Sequence, residues 1–149
     1  MMKEKYSKSI IKCVSNLGIF IHSITLSLAI IYFIFPVNSL LYDLFGYTLI
    51  SSWLLNAILI YALDRSLNKS VQIGKKLNKI SYYYLALFIA SILLMVFGVI
   101  FTNFIISGIV LMLGNIMIIF GFLFTTIYGL HFCIMTYTNI NTRGVWKFE

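Results

Sequence analysis

One segment without charge constrains this chain more than any other feature. From position 80 to 137 there is no Asp, Glu, Lys or Arg, and the polar pair Thr102 and Asn103 lies in the middle third of the segment. As a single helix the segment would be about 87 Å long, whereas the hydrocarbon core of a bilayer is about 30 Å thick. The segment must therefore fold back on itself. We predict one helix at 80–101 and another at 104–128, the second continuing beyond the membrane.

Two further apolar runs precede this segment. The first, 14–35, ends at Pro36, the only proline, and the second covers 40–63. Each is long enough to cross a bilayer as a helix. Ser39 can cap the second helix, and Asp43 suits the positive end of its dipole. An alternative for the first run is a cleaved signal peptide, but its apolar length exceeds the usual 7 to 15 residues or so.

The basic residues fall only outside these four runs. Eleven Lys and Arg side chains occupy the N-terminus, a loop at 64–79 and a tail at 138–149. Four crossings place all three regions on one side of the membrane, and the positive-inside rule makes that side cytoplasmic. The sequence therefore predicts an all-α membrane protein, an antiparallel bundle of four transmembrane helices with cytoplasmic N- and C-termini. We expect residues 1–149 to form a single membrane domain, and we expect no nucleic-acid partner.

Acidic residues are too few and too badly placed for most membrane chemistry. The four are Glu4, Asp43, Asp64 and Glu149, and none falls in the middle of a predicted span. A proton-coupled transporter built on a buried carboxylate, or an intramembrane aspartyl enzyme, needs one there. No phosphate loop or metal-ligand spacing is present either. We therefore predict a non-catalytic protein without a cofactor or a metal.

Three polar residues inside the predicted spans are the candidates for an intramembrane role. They are His22, Asn56 and Asn115. An ionisable residue within a membrane is a functional candidate by default, but a neutral imidazole bonded to a neighbouring helix is an equally physical interpretation. A haem held by His22 and His131 would need both at one depth, and a metal site would need more converging ligands than Cys13, Cys133 and the histidines supply.

The fourth predicted helix carries a stripe of small residues. Its members are Gly114, Gly121, Thr125 and Gly129, at spacings of seven, four and four. Small residues at such spacing let another backbone approach closely in lipid. The stripe could serve packing within the bundle or docking onto a partner. A second polar face, Asn16, Ser23 and Ser27 on the first helix, would make the first and fourth helices neighbours if the two faces met.

These features favour a subunit or accessory factor of a membrane protein complex. The expected partners are the lipid bilayer and other membrane protein subunits, or further copies of the chain. A small homo-oligomeric transporter or pore lined by His22, Asn56 and Asn115 is the alternative, and a membrane redox subunit is a second alternative. High usage of Ile, Asn and Lys indicates an AT-rich genome, so we expect the bacterial cytoplasmic (inner) membrane, with an organelle membrane as the other possibility.

Overall fold

The chain folds into four long helices. The computed structural model describes residues 2–34, 39–66, 72–104 and 108–142. Within them, α1 covers Met2–Ile34, α2 Ser39–Ser66, α3 Gln72–Phe104 and α4 Gly108–Thr142. Each contains a stretch long and apolar enough to cross a membrane: Ser9–Ile31, Asp43–Arg65, Asn78–Asn103 and Gly108–Ile140. The prediction of an all-helical chain with four helices long and apolar enough to span a membrane is thus confirmed, and these helices support an integral membrane protein.

The helices are longer than the apolar runs that predicted them. Phe104 is the last residue of α3 and α4 begins at Gly108, so the predicted start of the fourth helix at position 104 is shifted. The length of an apolar run reflects the thickness of the hydrocarbon core of the bilayer. A helix, in contrast, continues as long as its backbone hydrogen bonds continue. Pro36, at which the first apolar run ends, and the part of the predicted tail after position 142 lie outside the described residues.

The helices pack unequally. The most extensive contact is between α3 and α4, followed by α1 with α2 and α1 with α4, while α2 contacts α3 and α4 sparsely. Glycine permits the close approach of α3 and α4, since a Cβ atom built on Gly98 would lie 2.7 Å from the carbonyl oxygen of Gly114. Small residues of this kind are how helices associate in lipid, where burial of apolar side chains gives little driving force.

Buried positions follow a spacing of three and four along the helices. On α1 they are Ile11, Ser15, Gly18, His22, Thr25 and Ala29. Such spacing keeps one narrow face of a helix towards its neighbours, as in a coiled coil. The face that α1 turns inward is therefore not the predicted one, because Asn16, Ser23 and Ser27 are exposed. Helices α1 and α4 are nevertheless neighbours.

The interior contains both apolar and polar side chains. An apolar cluster includes Ile11, Leu63 and Ile140. The exposed basic residues Lys12, Arg65 and Lys79 adjoin this cluster and its neighbour Ile80, and we call this end of the bundle the basic end. Buried polar side chains occur here and along the rest of the helices: Ser15, His22, Thr25, Ser52, Asn56, Ser81, Ser91, Thr125, Thr126 and Thr136. The outward faces are largely apolar.

Candidate functional site: a polar network shared by four helices

Each helix contributes one polar side chain to a single network. His22 comes from α1, Asn56 from α2, Tyr84 from α3 and Cys133 from α4. All four residues are buried, and His22, Asn56 and Cys133 have no exposed surface. His22 and Asn56 each lie two residues from the middle of their spans, Ser9–Ile31 and Asp43–Arg65. The network is therefore deep in the part of the bundle that lipid surrounds.

Asn56 is the centre of the network. Its amide nitrogen donates to Nε2 of His22 at 3.0 Å and to the hydroxyl of Tyr84, also at 3.0 Å. Its carbonyl oxygen accepts the thiol of Cys133, with 3.6 Å between sulfur and oxygen. An amide has two N–H donors and one carbonyl acceptor, so both donors are used and the orientation of the side chain is determined.

These contacts also determine which ring nitrogen of His22 carries the hydrogen. Nδ1 lies 2.7 Å from the backbone carbonyl oxygen of Gly18, an atom that can only accept. Nδ1 therefore carries the hydrogen, and Nε2 is left as the acceptor for Asn56. The result is a neutral imidazole with both ring nitrogens in hydrogen bonds. Among the described contacts, the side chain of Asn56 makes no hydrogen bond to its own helix. Its hydrogen bonds go to side chains of α1, α3 and α4.

Glycine makes room for the network in α4 and in α1. A Cβ atom built on Gly129 would collide with Nε2 of His22 and would lie 2.7 Å from both the Asn56 amide nitrogen and the Tyr84 hydroxyl. A Cβ atom on Gly18 would lie 2.6 Å from the sulfur of Cys133. The absence of a side chain at both glycines thus leaves room for the polar side chains opposite them.

Aromatic rings shield the network at the α3–α4 side. The ring of Tyr84 stacks on that of Phe132 with centroids 4.5 Å apart and planes 6° from parallel. Phe88, one turn further along α3, stacks on Tyr84 at 6.4 Å and meets Trp53 of α2 edge to face at 6.1 Å. Stacking of this kind adds stabilisation beyond the area that the rings bury, and it fixes the position of the Tyr84 hydroxyl.

Buried hydroxyl groups near the network form their hydrogen bonds within their own helices. Thr25 donates to the carbonyl oxygen of Ile21, Ser52 to that of Leu49 and Thr126 to that of Phe122. Each hydroxyl is therefore bonded to its own helix and needs no partner from another. Small side chains at this level allow the helices to approach one another closely.

The predicted stripe on α4 lies inside the bundle. Gly114 faces Gly98, Phe101 and Thr102 of α3, Gly121 faces Ser91 and Met95, and Gly129 faces the network. Thr125 is buried and donates to the backbone of its own helix. Here the stripe serves packing between helices of the same chain. Asn115, next to Gly114 in the sequence, is exposed on the outside of α4 and is not brought near His22 or Asn56.

The remaining candidates are dispersed. His131 is exposed and, with Tyr83, Tyr84, Tyr128 and others, lines a shallow apolar groove of about 170 Å³ on the outside of α3 and α4. Cys13 is exposed and Cys133 buried. In the part of the chain that the structure describes, no three His, Cys, Asp or Glu side chains converge as metal ligands would. The two histidines are thus in different environments, one bonded in the core and one on the surface.

Sequence reasoning identified two members of the network and missed the others. Tyr84 was hidden in the run Tyr82, Tyr83 and Tyr84, which is typical of an interfacial belt, and Cys133 was considered only as a metal ligand. One pattern in the sequence could have indicated the inward face of α1. Small and polar residues on α1 recur at alternating spacings of three and four, which would have placed His22 on an inward seam.

Fold and site together define a class, that of integral membrane proteins built as a four-helix bundle with a polar core. No family model, no curated protein and no solved structure matches the chain.

Proposed function

We propose that the chain is a non-catalytic subunit or accessory factor of a membrane protein complex. One observation carries this proposal: the histidine, asparagine and cysteine side chains that are buried in the core are bonded to one another. His22 uses both ring nitrogens, Asn56 uses both of its N–H donors, and the Cys133 thiol donates to Asn56. Groups engaged in this way determine helix register. The outward faces of the helices are then the surfaces available for interaction.

The orientation that we propose is an antiparallel bundle with both termini in the cytoplasm. Support comes from charge: Lys12, Arg65 and Lys79 lie at or near the ends of three of the apolar spans, and the remaining basic residues flank the same ends in the sequence. Basic residues are retained on the cytoplasmic side during insertion. The membrane that we propose is the bacterial cytoplasmic (inner) membrane, and an organelle membrane is the alternative.

The surface for a partner is the outward apolar side of the bundle. Phe20 of α1 is 62% exposed and Leu54 of α2 60% exposed, whereas the small-residue stripe of α4 is buried. A photoreactive amino acid at Phe20 or at Leu54 would test whether a protein lies against these faces in native membranes. The same amino acid at the fully buried Leu59 is the matched control.

Copurification in mild detergent, with mass spectrometry of the product, is the companion measurement. The proposal predicts one foreign subunit in fixed stoichiometry, and the same protein cross-linked from Phe20 or Leu54 but not from Leu59. A protein that purifies only as a free monomer and cross-links to nothing but lipid would contradict the accessory role.

A homo-oligomeric transporter or pore is the second candidate function. The observation in its favour is the His22–Asn56 pair, a polar contact near the middle of two spans. Its test is flux through reconstituted vesicles, comparing wild type with His22→Ala. Flux that disappears in the variant, from a protein that remains a homo-oligomer, would place this candidate first. Equal flux in the two proteins would remove His22 from any path.

A further inference from the structure

Two cations and two tyrosines surround the basic end of the α2–α3 pair. The Tyr82 hydroxyl of α3 donates to a carboxylate oxygen of Asp64 of α2 at 3.1 Å. Arg65, next to Asp64, donates to the hydroxyl of Tyr61 at 2.8 Å. Lys79 lies three positions before Tyr82, on the same side of α3. Arg65, Lys79, Tyr61 and Tyr82 are all exposed.

The charge of this group is positive. It contains two basic side chains and one carboxylate, which together leave one net positive charge at neutral pH. Tyrosines at the same level are typical of the boundary between hydrocarbon and headgroups. A net positive charge at that boundary attracts a ligand with net negative charge, and a guanidinium group matches the oxygens of a phosphate in geometry.

Further along the α2–α3 pair, near the middle of the apolar span of α2, two aromatic rings are in contact. Helices α2 and α3 contact each other sparsely, and Trp53 and Phe88 meet between them. Trp53 is twelve positions from Arg65, or about 18 Å along the helix, close to the thickness of one leaflet, about 15 Å. An acyl chain whose headgroup lies at Arg65 can therefore reach Trp53.

We infer that the α2–α3 pair binds an anionic phospholipid. Its phosphate lies between Arg65 and Lys79 at the level of Tyr61 and Tyr82, and one acyl chain follows the α2–α3 seam as far as Trp53 and Phe88. Basic pockets between transmembrane helices recognise anionic headgroups in this way. The inference does not rest on the accessory role, since a lipid site is compatible with either proposed function.

Quenching of Trp53 fluorescence tests this site directly. The chain has two tryptophans, so Trp146→Phe leaves Trp53 as the only one. This variant is reconstituted into phosphatidylcholine bilayers that contain, at one fixed mole fraction, either phosphatidylglycerol or phosphatidylcholine with brominated acyl chains. The bromine atoms quench a tryptophan that they contact. The headgroup of phosphatidylglycerol carries a net negative charge and that of phosphatidylcholine does not, so attraction to two cations predicts an apparent affinity for phosphatidylglycerol that is higher by about fivefold or more.

Charge variants separate a site from a general surface potential. Arg65→Gln with Lys79→Gln should abolish the preference, while quenching by brominated phosphatidylcholine stays unchanged and shows that the fold is intact. Lys12→Gln is the matched control, because Lys12 is equally basic but lies over the ring of Tyr137, on the α1–α4 side, at 5.8 Å. It should retain the preference. Equal quenching by both lipids in the parent protein, or equal loss in both sets of variants, would overturn the inference.

Discussion

The side chain of Asn56 donates a hydrogen bond of 3.0 Å to Nε2 of His22, joining α2 to α1 across 34 positions of sequence. Because neither residue has exposed surface, removal of one partner leaves a buried polar atom with nothing to replace it. An unsatisfied group of this kind is more costly than the bond itself is favourable. The stability of the bundle is therefore sensitive to substitution at this contact.

Replacing Asn56 by leucine should destabilise the bundle. The variant keeps the branching of the side chain but deprives His22 and Cys133 of their partner, so we expect a loss of about 1–3 kcal/mol in the free energy of unfolding. The measurement is unfolding in mixed detergent micelles, followed by circular dichroism.

A double-mutant cycle isolates the contact between the two helices. With His22→Leu as the second substitution, the coupling free energy should be about 0.6 kcal/mol, the average for hydrogen bonds between membrane helices, and at most about 1.7 kcal/mol. Ser23→Ala is the control, because that hydroxyl is exposed and bonded to its own helix. Strictly additive effects of the Asn56 and His22 variants would show that the bond does not form.

Gly129→Ala should disrupt the same network by its volume alone. The added methyl group meets three polar side chains from three other helices, and overpacking of this kind costs about 1–3 kcal/mol. Gly46→Ala in α2 is the matched control, since a Cβ atom there has no neighbour within 4 Å. It should be neutral or stabilising by up to about 1 kcal/mol through helix propensity. Equal effects of the two variants would contradict the proposed role of Gly129.

Thr136 and Thr126 of α4 provide a contrasting pair. Both are completely buried, but the Thr126 hydroxyl donates to the carbonyl oxygen of Phe122, whereas that of Thr136 has no partner among the described residues. Thr136→Val removes an unsatisfied group and should stabilise the bundle by about 1 kcal/mol. Thr126→Val should not stabilise the bundle. The measurement is the same unfolding experiment, and stabilisation by both variants, or by neither, would speak against this difference in bonding.

The two cysteines should differ in reactivity. Cys13 is exposed at the basic end, and Cys133 is buried with its thiol bonded to Asn56. In inside-out membrane vesicles, which expose the cytoplasmic face, a membrane-impermeant maleimide should label Cys13 within minutes. It should label Cys133 only after denaturation. The Cys13→Ala and Cys133→Ala variants assign the signals. Labelling of Cys13 only from the opposite side would refute the proposed orientation.

Much of the architecture follows from composition alone. Charge-free length predicts the number of spans, because neither a soluble surface nor a longer helix could accommodate the segment from 80 to 137. Helix ends are less predictable: α1 includes Lys3 and Lys12, since nothing at the edge of the apolar run interrupts the backbone bonds.

The inward face of α1 was harder to predict than the number of spans. Ser23 and Ser27 have the spacing of a packing face, but their hydroxyls bond to the backbone of their own helix and can remain exposed. His22 and Asn56 were recognisable because a ring nitrogen and an amide group in lipid need a partner. Tyr84 was not recognisable in this way, since tyrosine is also common at the interface.

The state of His22 is the most direct test of the polar core. Nitrogen NMR of the ¹⁵N-histidine-labelled protein in lipid bilayers, with His131→Gln to leave one histidine, reports which ring nitrogen carries hydrogen. We predict a neutral ring with hydrogen on Nδ1 and an unprotonated, hydrogen-bonded Nε2, whose resonance shifts in Asn56→Leu. A ring protonated at Nε2, or a spectrum that does not respond to Asn56→Leu, would contradict the four-helix network.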